Sequence, residues 1–368
     1  MQCIMKDDGF FPNDSQPFTV YHLTDKWNGG TVSKVLKELL VGGTHDSTSW
    51  GQVRKFIANR HVEINGNLCL DEARRVRNGD VLRLWKQPRP MPIRAEDVRI
   101  VYSDEHLCVV EKPPGVTSVR HARENSLSSL RRQIQPTLDE LVEQILVRQQ
   151  SALKQHRSSQ PNKGTPRQGR FGRARRENSA PQVFAVHRLD HHTSGLMLFA
   201  RTRECQNKLI AMFRRHQVQR EYVGVCHGVL QPQTIRSYLI RDRGDGLRGS
   251  LTAEPTARQA ELAQEAITHV VGTKPIGQSS FCLFRCRLET GRTHQIRIHL
   301  AEIGHRLCGE KLYVFDSSGT RFEDLSQAPR QALHSDRLAL VHPITSEPLE
   351  FAMPWPKDLA VWIRSLSE

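Results

Sequence analysis

The chain has 368 residues and a formal net charge of +14, with 38% hydrophobic and 6% aromatic residues. This length is long for one domain and sufficient for two. The charge favours a polyanionic partner, with nucleic acid ahead of a membrane surface. The sequence contains no apolar run of about 18 residues, so no membrane-spanning helix is expected. The first residues do not follow the pattern of a secretory signal.

The eight cysteines are scattered, without the spacing of a disulfide framework. Cys282 and Cys286 are the closest pair, and both of them and Cys226 lie in or beside strand-like segments. We interpret them as reduced core thiols, which points to a cytoplasmic protein. A zinc site is the alternative, but the sequence offers neither C-x-x-C nor paired Cys/His ligand spacing.

Residues 18–86, after a tail of residues 1–17, are predicted to form a small basic α/β domain. SKVLKELL and SWGQVRKFIANR place apolar residues at helical spacing. HVEINGNLCL alternates and turns at Asn65-Gly66, which predicts a hairpin, and RNGDVLRLW supplies a closing strand. The cations on the two helices are Lys34, Lys37, Arg54, Lys55 and Arg60. They either bind a polyanion or only solvate the helix faces.

The segment VRKFIANRHVEINGNLCLDEARRVRNGDVLRL resembles the RNA-binding domain named after ribosomal protein S-four. That family combines an amphipathic helix, a basic residue, V-x-[IV]-N-G and a later G-D-x-[IVL]. The matching residues are Arg60, Val62, Ile64, Asn65, Gly66, Gly79, Asp80 and Val81. Trp50 departs from the pattern, because the family often has an arginine there that meets the phosphate backbone. The resemblance implies that Lys34, Arg54, Lys55 and Arg60 bind RNA.

Residues 87–97, QPRPMPIRAED, hold three prolines and predict an extended linker. A second domain is predicted over residues 98–363. VRIVYSDEHLCVVEKPPGVTS predicts two strands followed by a Pro-Pro-Gly bend. PTLDELVEQIL, residues 136–146, predicts a short helix with one apolar stripe.

Residues 148–182 contain nine Lys or Arg, one acidic residue and almost no bulky apolar side chain. This composition predicts a disordered insertion. The insertion either has no role or acts as a basic tether, which would bind the phosphate backbone without sequence preference and in a salt-dependent way.

From residue 184 to 363 the pattern shows many short strands with Gly and Pro turns, and helical patches at 204–216 and 292–304. It predicts an α+β domain built on an antiparallel-rich mixed sheet, in contrast to a βαβ repeat. Neither a G-x-G-x-x-G nor a Walker loop occurs, so no nucleotide cofactor is expected.

Polar side chains in three of these segments are candidates for a site. VFAVHRLD is predicted as a strand that ends at Asp190, with LMLFAR as the returning strand. Tyr222 lies in a predicted strand, and Arg297 lies on a predicted amphipathic helix with His294 and His299. Taken alone, Asp190 is also an ordinary turn residue or helix cap.

HRLDHHTSGLMLFAR matches H-R-L-D-x-x-T-S-G-L-[LM]-[LV]-[FL]-A, the signature of the RluA-type pseudouridine synthases, and the chain resembles that family. The segments EYVGVCHG, ETGRTHQIRIHLAEIGHRLCGEKLY and LHSDRLALVHPITSEPLEFAMPWPKDL follow in the family's order and spacing, and EKPPGVTS lies near the domain start. The resemblance covers about residues 98–120 and 183–362. A domain similar to that of S-four is a common partner of this catalytic domain.

The resemblance implies roles for individual residues. Asp190 stands at the catalytic aspartate, and Arg297 stands at the basic residue that pairs with it. Tyr222 stands at the tyrosine that stacks on the target uracil and is a candidate to take the C5 proton. Arg188 stands at the arginine that helps to open the RNA and fills the space of the flipped base. Leu338 is expected near the base.

The implied reaction is isomerisation of uridine, in which the glycosidic bond breaks, the base rotates and C5 bonds to the sugar. The uracil must first be everted, at a cost of roughly a few kcal/mol. Asp190 acts as an anion, and Arg297 favours its charged form. It either attacks the sugar or removes a sugar proton to give a glycal, and both routes remain open.

Histidines near these motifs raise the alternative of a metal site or a general base. His187 and His294 match structural positions of the family motifs, so we expect hydrogen-bonded scaffolding. The chemistry requires no metal, ATP or redox cofactor, and no cofactor is predicted.

The sequence thus predicts a cytoplasmic, monomeric enzyme that isomerises uridines in structured RNA, with ribosomal RNA ahead of transfer RNA. One alternative is an RNA-binding protein that keeps the fold without catalysis. Another is a nucleic-acid glycosidase or hydrolase that uses Asp190 with His187 and releases free uracil.

Overall fold

The computed structural model of the chain describes residues 18–41, 48–65, 67–89, 91–120, 136–158, 181–243, 247–251, 255–315 and 320–366. The predicted tail of residues 1–17 lies outside them. The chain divides into two compact units, the first of which ends at Pro92 and the second of which begins at Ile93. In the part of the chain described, no helix has both the length and the apolar character needed to cross a bilayer.

The first unit packs two helices on a four-stranded antiparallel sheet in the order β1-β4-β2-β3. Its elements are β1 (Phe18–His22), α1 (Val32–Val41), α2 (Trp50–Ala58), β2 (Val62–Ile64), β3 (Asn67–Leu68) and β4 (Val81–Trp85). The predicted helices, hairpin and closing strand are confirmed. Strand β1 was not predicted, and it forms as an edge strand through its full-length pairing with β4.

Two turns of this unit are joined by side chains. Asn65 adopts a left-handed conformation, with φ of 54°. Its Nδ2 donates to Asp80 Oδ1 at 2.8 Å, and its Oδ1 accepts from the Val81 backbone N–H at 2.8 Å. The N-G and G-D parts of the motif therefore occur together because each turn supplies hydrogen-bond partners to the other.

The second unit contains the remaining elements. These are β5 (Arg99–Ser103), β6 (Leu107–Lys112), α3 (Leu138–Ser158), β7 (Phe184–Ala185), β8 (Ser194–Ala200), α4 (Arg203–Arg214), β9 (Gln219–His227), β10 (Gln233–Ile240), β11 (Gly249–Ser250), α5 (Ala257–Leu262), β12 (Gln264–Ile276), β13 (Phe281–Leu288), α6 (Gln295–Glu302), β14 (Leu333–Val341), β15 (Pro348–Ala352) and α7 (Lys357–Ser365).

An 11-stranded sheet organises this unit, with the order β11-β10-β12-β13-β9-β14-β8-β6-β5, while β15 pairs with β14 and β7 with β8. The named strand pairs are antiparallel except for β8 with β14, which are parallel over a short stretch. The predicted α+β class with an antiparallel-rich mixed sheet is confirmed.

Strand β8 lies between β14 and β6 in this sheet, and all seven of its residues are buried. Met197 and Phe199 belong to the core on one face, whereas Leu196 and Leu198 belong to the core on the other. Alternate side chains of a strand point to opposite faces. A strand covered on both faces therefore has the continuous apolar sequence that SGLMLFA shows.

Three sequence predictions differ from the structure. Of the strand predicted to end at Asp190, only Phe184–Ala185 is formed, because β8 pairs with β6 along one edge and with β14 at its start on the other.

Helix α3 continues to Ser158, so residues 148–158 are not disordered. Their Gln, Ala, Leu, Lys and Arg residues favour extension of a helix that has already formed. Residues 159–180 lie outside the described part. Helix α6 is not amphipathic, since Gln295 to Leu300 are all buried.

Gly195 is required where β8 meets β14. It has φ of 119°, and a Cβ there would lie 2.2 Å from the carbonyl oxygen of Ser335. We expect Gly195→Ala to lower the free energy of unfolding by about 2 kcal/mol or more, because strain and a backbone clash add. Urea denaturation measures this change.

Gly272→Ala in β12 is the matched control, since a Cβ at Gly272 meets nothing within 4 Å. Equal stabilities of the two variants would contradict the close approach of β8 and β14.

Candidate active site

A cavity of about 430 Å³ lies in the second unit beside the loop that precedes β8. Asp190, Tyr222 and Arg297, the three residues predicted as catalytic, all line it. Arg188 lines it as well, with an exposed side chain. The structure thus brings together residues from a loop, a strand and a helix that are far apart in the sequence.

Asp190 and Arg297 form an ion pair that extends to a third residue. Asp190 Oδ2 lies 3.4 Å from Arg297 Nη1. Arg297 also donates from Nε and Nη2 to the two carboxylate oxygens of Glu310, at 2.8 and 2.7 Å. The side chains of Asp190, Arg297 and Glu310 are only 14%, 10% and 3% exposed. Water therefore screens these charges weakly, and their mutual attraction is strong.

Glu310 and Arg297 each favour the charged form of the other. Burial acts to raise the pKa of Glu310, but hydrogen bonds from Arg297 and from the backbone N–H groups of Leu312 and Tyr313 outweigh it and lower the pKa. Burial acts to lower the pKa of Arg297, and Glu310 and Asp190 raise it above the ordinary value. Arg297 is thus held as a fixed cation beside Asp190.

Glu310 lies in the segment ETGRTHQIRIHLAEIGHRLCGEKLY, which carries part of the family resemblance. No role was predicted for it. A signal was present, because its segment follows the helix that carries Arg297 within one motif. Its function depends on a bidentate contact that local sequence does not reveal.

The histidines at the site are neutral supports. His294, in a left-handed conformation with φ of 61°, contacts the Tyr313 hydroxyl through Nδ1 at 2.7 Å. Burial lowers the pKa of His294, while Asp190 acts in the opposite direction. His187 Nε2 accepts from the Leu198 backbone N–H at 2.9 Å, and burial with the nearby Arg220 lowers its pKa to about 3. His187 therefore cannot readily exchange a proton near neutral pH.

Tyr222 occupies β9 opposite Ser335 of β14 and is buried. Burial raises the pKa of Tyr222, and Arg220 only partly opposes this effect. The phenol is therefore protonated at neutral pH. Its ring forms part of the cavity wall, where a flat base can stack on it.

The placement of Leu338 near the base was wrong. Leu338 packs into the apolar core that contains Leu107 and Leu198, whereas Leu333 lines the cavity. A β-bulge between Ser335 and Arg337 also interrupts β14, and such a bulge is not visible in the sequence.

The loop that carries Asp190 lies outside the regular sheet and is fixed by side chains. Lys112, fully buried at the end of β6, donates from Nζ to the carbonyl oxygens of Pro113, His191 and Thr193 at 3.2, 3.0 and 2.8 Å. Three acceptors match the three donors of an ammonium group. Burial lowers the pKa of Lys112 to about 7, with Asp190 raising it and Arg330 lowering it.

Other contacts hold the same loop from both sides. Ser118 Oγ donates to the Leu189 carbonyl oxygen and accepts from its N–H, at 2.7 and 3.1 Å. Arg330, which is ion-paired with Asp358, donates to the His192 carbonyl oxygen at 2.9 Å. Neither Lys112 nor Arg330 was predicted to have a role, although the lysine that ends the apolar run LCVVEK was a visible signal.

The cations predicted to bind RNA in the first unit differ in their surroundings. Lys34 and Lys55 are exposed. Arg54 is exposed and lies 3.2 Å from Glu72. Arg60 adopts φ of 68° and donates from Nε to the Arg89 carbonyl oxygen at 2.7 Å, so it also fixes the chain at the end of this unit.

In the described ranges, no cluster of His, Cys, Asp or Glu could hold a metal ion. The seven described cysteines are free thiols and buried. The predicted location of these thiols in the core is confirmed.

Comparison with known proteins places this site in a family. A family model described as RNA pseudouridylate synthase matches residues 106–302. Ribosomal large subunit pseudouridine synthase D of Zymomonas mobilis is 30% identical over 350 residues, covering 94% of this chain and 96% of that protein. The protein of the same name from Haemophilus influenzae is 33% identical over 199 residues, covering 50% and 56%, respectively. The chain therefore belongs to the RNA pseudouridylate synthase family.

A solved structure, human RNA pseudouridylate synthase domain containing 1, is similar at 20% identity with a TM-score of 0.48, covering 72% of this chain and 86% of that one. The alignment with the Haemophilus influenzae relative spans 56% of that protein's length.

Lys112 provides a test of how the Asp190 loop is fixed. We expect Lys112→Met to lower the free energy of unfolding by roughly 2 kcal/mol, because three buried carbonyl oxygens lose their donor. Urea denaturation measures the loss. Lys357→Met, at an exposed position of α7, is the control, and an equal effect of both variants would contradict the proposed anchoring.

Glu310→Gln should change how stability depends on pH. The folded pKa of Glu310 lies below its ordinary value of 4.5, so its stabilising contribution is present above about pH 4.5 and is lost as pH falls through the folded pKa. The wild type should thus lose more stability than the variant on acidification below pH 4.5. Thermal unfolding at a series of pH values measures this, and parallel curves would refute the contribution.

Proposed function

We propose that this protein isomerises uridine to pseudouridine in RNA, with ribosomal RNA as the first candidate substrate. The observation that carries the proposal is the buried Asp190–Arg297 pair in a cavity walled by Tyr222. Family membership supports the activity, and relatives named as ribosomal large subunit pseudouridine synthases support the choice of RNA.

The chemistry begins with rupture of the bond between uracil N1 and C1′ of the ribose. Asp190 supplies the carboxylate, either as a nucleophile at C1′ or as the base that removes a sugar proton to give a glycal. Arg297 places a positive charge beside that carboxylate in a site with little water, and Glu310 fixes the direction of the Arg297 guanidinium. The detached uracil then rotates and C5 bonds to C1′, while Asp190 leaves C1′ or returns the sugar proton that it took. The C5 proton then leaves, and N1 of the uracil, which has lost its bond to the sugar, takes up a proton.

Access to the uridine requires that the base leave its stack. In this proposal, the exposed Arg188 at the cavity offsets part of the cost by contacting the opened RNA. The Tyr222 ring stacks on the everted uracil and limits its movement while it turns. Because burial keeps the Tyr222 phenol protonated, it takes the C5 proton only if its own hydroxyl proton passes to another group at the same time. Uracil N1 is the atom of the reaction that needs a proton.

The first unit is proposed to be the S-four-like RNA-binding domain, with Lys34 and Lys55 as its exposed cations and Arg54 and Arg60 as further contacts. The excess of positive charge over the whole chain supports an RNA partner. Buried free thiols support a reducing compartment, so we propose a cytoplasmic protein. The monomeric state remains a prediction.

The two alternatives are less well supported. A catalytically inactive RNA-binding protein has no need for Asp190, Arg297 and Tyr222 to line one cavity, yet all three do. A glycosidase that uses His187 needs a proton-exchanging imidazole, whereas His187 accepts a backbone hydrogen bond and has a pKa of about 3.

The activity is tested with large-subunit ribosomal RNA transcribed in vitro and carrying tritium at uracil C5. The wild type should release tritium to water without releasing free uracil, and Asp190→Asn should release none, because an amide can neither attack nor remove a proton at this site. A sequencing-based map of pseudouridine in the same RNA identifies the modified uridine.

Arg364→Gln, an exposed substitution in α7, is the control for the loss of one ionic charge. If the wild type acts on neither ribosomal nor transfer RNA, or if Asp190→Asn is fully active, the proposed function is wrong.

A further inference from the structure

Arg220 is a buried cation of the cavity that the proposed reaction does not use. It lies in β9, two residues before Tyr222, and is only 7% exposed. Side chains two apart in a strand point to the same face, and both residues line the cavity. The Arg220 guanidinium carbon lies 5.2 Å from the centroid of the Phe213 ring.

Within the described ranges, the side chain of Arg220 has neither an ion pair nor a hydrogen bond, and its Nε is a buried donor without a partner. The nearby carboxylates are engaged elsewhere: Asp190 faces Arg297, Glu265 pairs with Arg236, and Glu289 contacts His269. Burial lowers the pKa of Arg220. An unpaired buried cation is unfavourable unless an anion joins it.

The surroundings of the guanidinium indicate where that anion comes from. A Cβ placed on Gly291 would lie 2.6 Å from Arg220 Nη1, and Gly291 is an exposed loop residue. Because Gly291 has no side chain, it leaves space through which the Arg220 guanidinium reaches the outer part of the cavity. Exposed Arg214 and Arg292 line the same cavity, so positive charge is concentrated there.

We propose that Arg220 binds a phosphodiester group that flanks the everted nucleotide. This inference rests on the proposed function. When a base enters a pocket, its phosphates remain at the rim, where the guanidinium head lies. A planar guanidinium can donate two parallel hydrogen bonds to phosphate oxygens. The phosphate would also supply the missing charge, so that the everted RNA stabilises a group that is unfavourable in the free protein.

Binding of the phosphate next to the stacking tyrosine also orients the nucleotide. Arg220 and Tyr222 lie on one rigid strand in the middle of the sheet, so the distance between the phosphate site and the base site is fixed. A nucleotide held at both points has little freedom to rotate as a whole while Asp190 acts on the ribose. Arg220 is thus a substrate-binding residue of the site.

Two variants test the proposal with the transcribed ribosomal RNA. Arg220→Gln removes the charge, and Gly291→Ala retains it but displaces the guanidinium. Both should raise the KM for RNA roughly tenfold to a hundredfold, the range of a charge-assisted hydrogen bond. For Arg220→Gln, the slope of log(kcat/KM) against log salt concentration should become shallower by about 0.7 to 0.9, as for one lost phosphate contact. Arg364→Gln should leave both quantities unchanged.

A second experiment identifies the anion. A short synthetic hairpin around the mapped uridine carries a neutral methylphosphonate in place of either flanking phosphodiester. One of these replacements should lower kcat/KM of the wild type and have little further effect on Arg220→Gln. Additive losses at both positions would overturn the proposal.

The remaining outcomes separate this inference from its rivals. A fall in kcat with unchanged KM and salt slope would indicate contact with the uracil and would overturn the phosphate assignment, as would full activity of Arg220→Gln. If the wild type itself forms no pseudouridine, the proposed function fails first. In that case RNA binding can still be measured. A salt slope of binding for Arg220→Gln equal to that of the wild type would refute the phosphate contact.

Discussion

The site depends on one buried cation shared by two carboxylates. Arg297 contacts Glu310 through two hydrogen bonds and Asp190 through a longer one of 3.4 Å. A buried pair of opposite charges is stable only when its remaining polar atoms are also satisfied, and Glu310 meets this condition through backbone donors of residues 311–313. Because Glu310 fixes the guanidinium, Asp190 keeps a charged neighbour without a tight bidentate contact. Its carboxylate remains available to the cavity.

This arrangement requires the Asp190 loop to stay in place without a strand ladder. The loop enters from the short β7 and leaves into β8, and its backbone groups are bonded by Lys112, Ser118 and Arg330 instead. Buried polar groups away from a regular element need such partners. The parallel contact of β8 with β14 places the loop next to β9, which carries Tyr222. The candidate active site therefore lies where the sheet changes from antiparallel to parallel pairing.

Arg220 differs from Arg297 in one physical respect. Arg297, on helix α6, has its anions within the folded chain, whereas the Arg220 side chain, on strand β9, is buried without one among the described residues. The first arrangement is complete in the free protein, and the second, in our proposal, is completed by a phosphate of the RNA. In this proposal, Arg297 holds a positive charge beside the Asp190 carboxylate, and Arg220 holds the nucleotide in position.

Short-range patterns of the sequence predicted much of the fold. Helical spacing gave α1, α2 and α4, the Asn65-Gly66 turn gave its hairpin, and the apolar run after Asp190 gave β8. Each of these depends on neighbours within a few residues. Motif order also indicated Asp190, Tyr222 and Arg297 as site residues, since a motif records side-chain identity at fixed positions.

The family resemblance implied the pairing of Asp190 with Arg297, but its geometry and the other contacts of the site were decided by the tertiary structure. Asp190 and Arg297 are 107 positions apart, and their contact follows from strand register and loop closure, which local patterns do not encode. Packing between remote segments also explains three other features. These are the Glu310 contact, the presence of Leu333 at the cavity where Leu338 was expected, and the unpaired side chain of Arg220. The sequence by itself determined the chemical groups and the local elements, because these depend on near neighbours. Their distances, burial and charge partners were set by packing between segments that are remote in the chain.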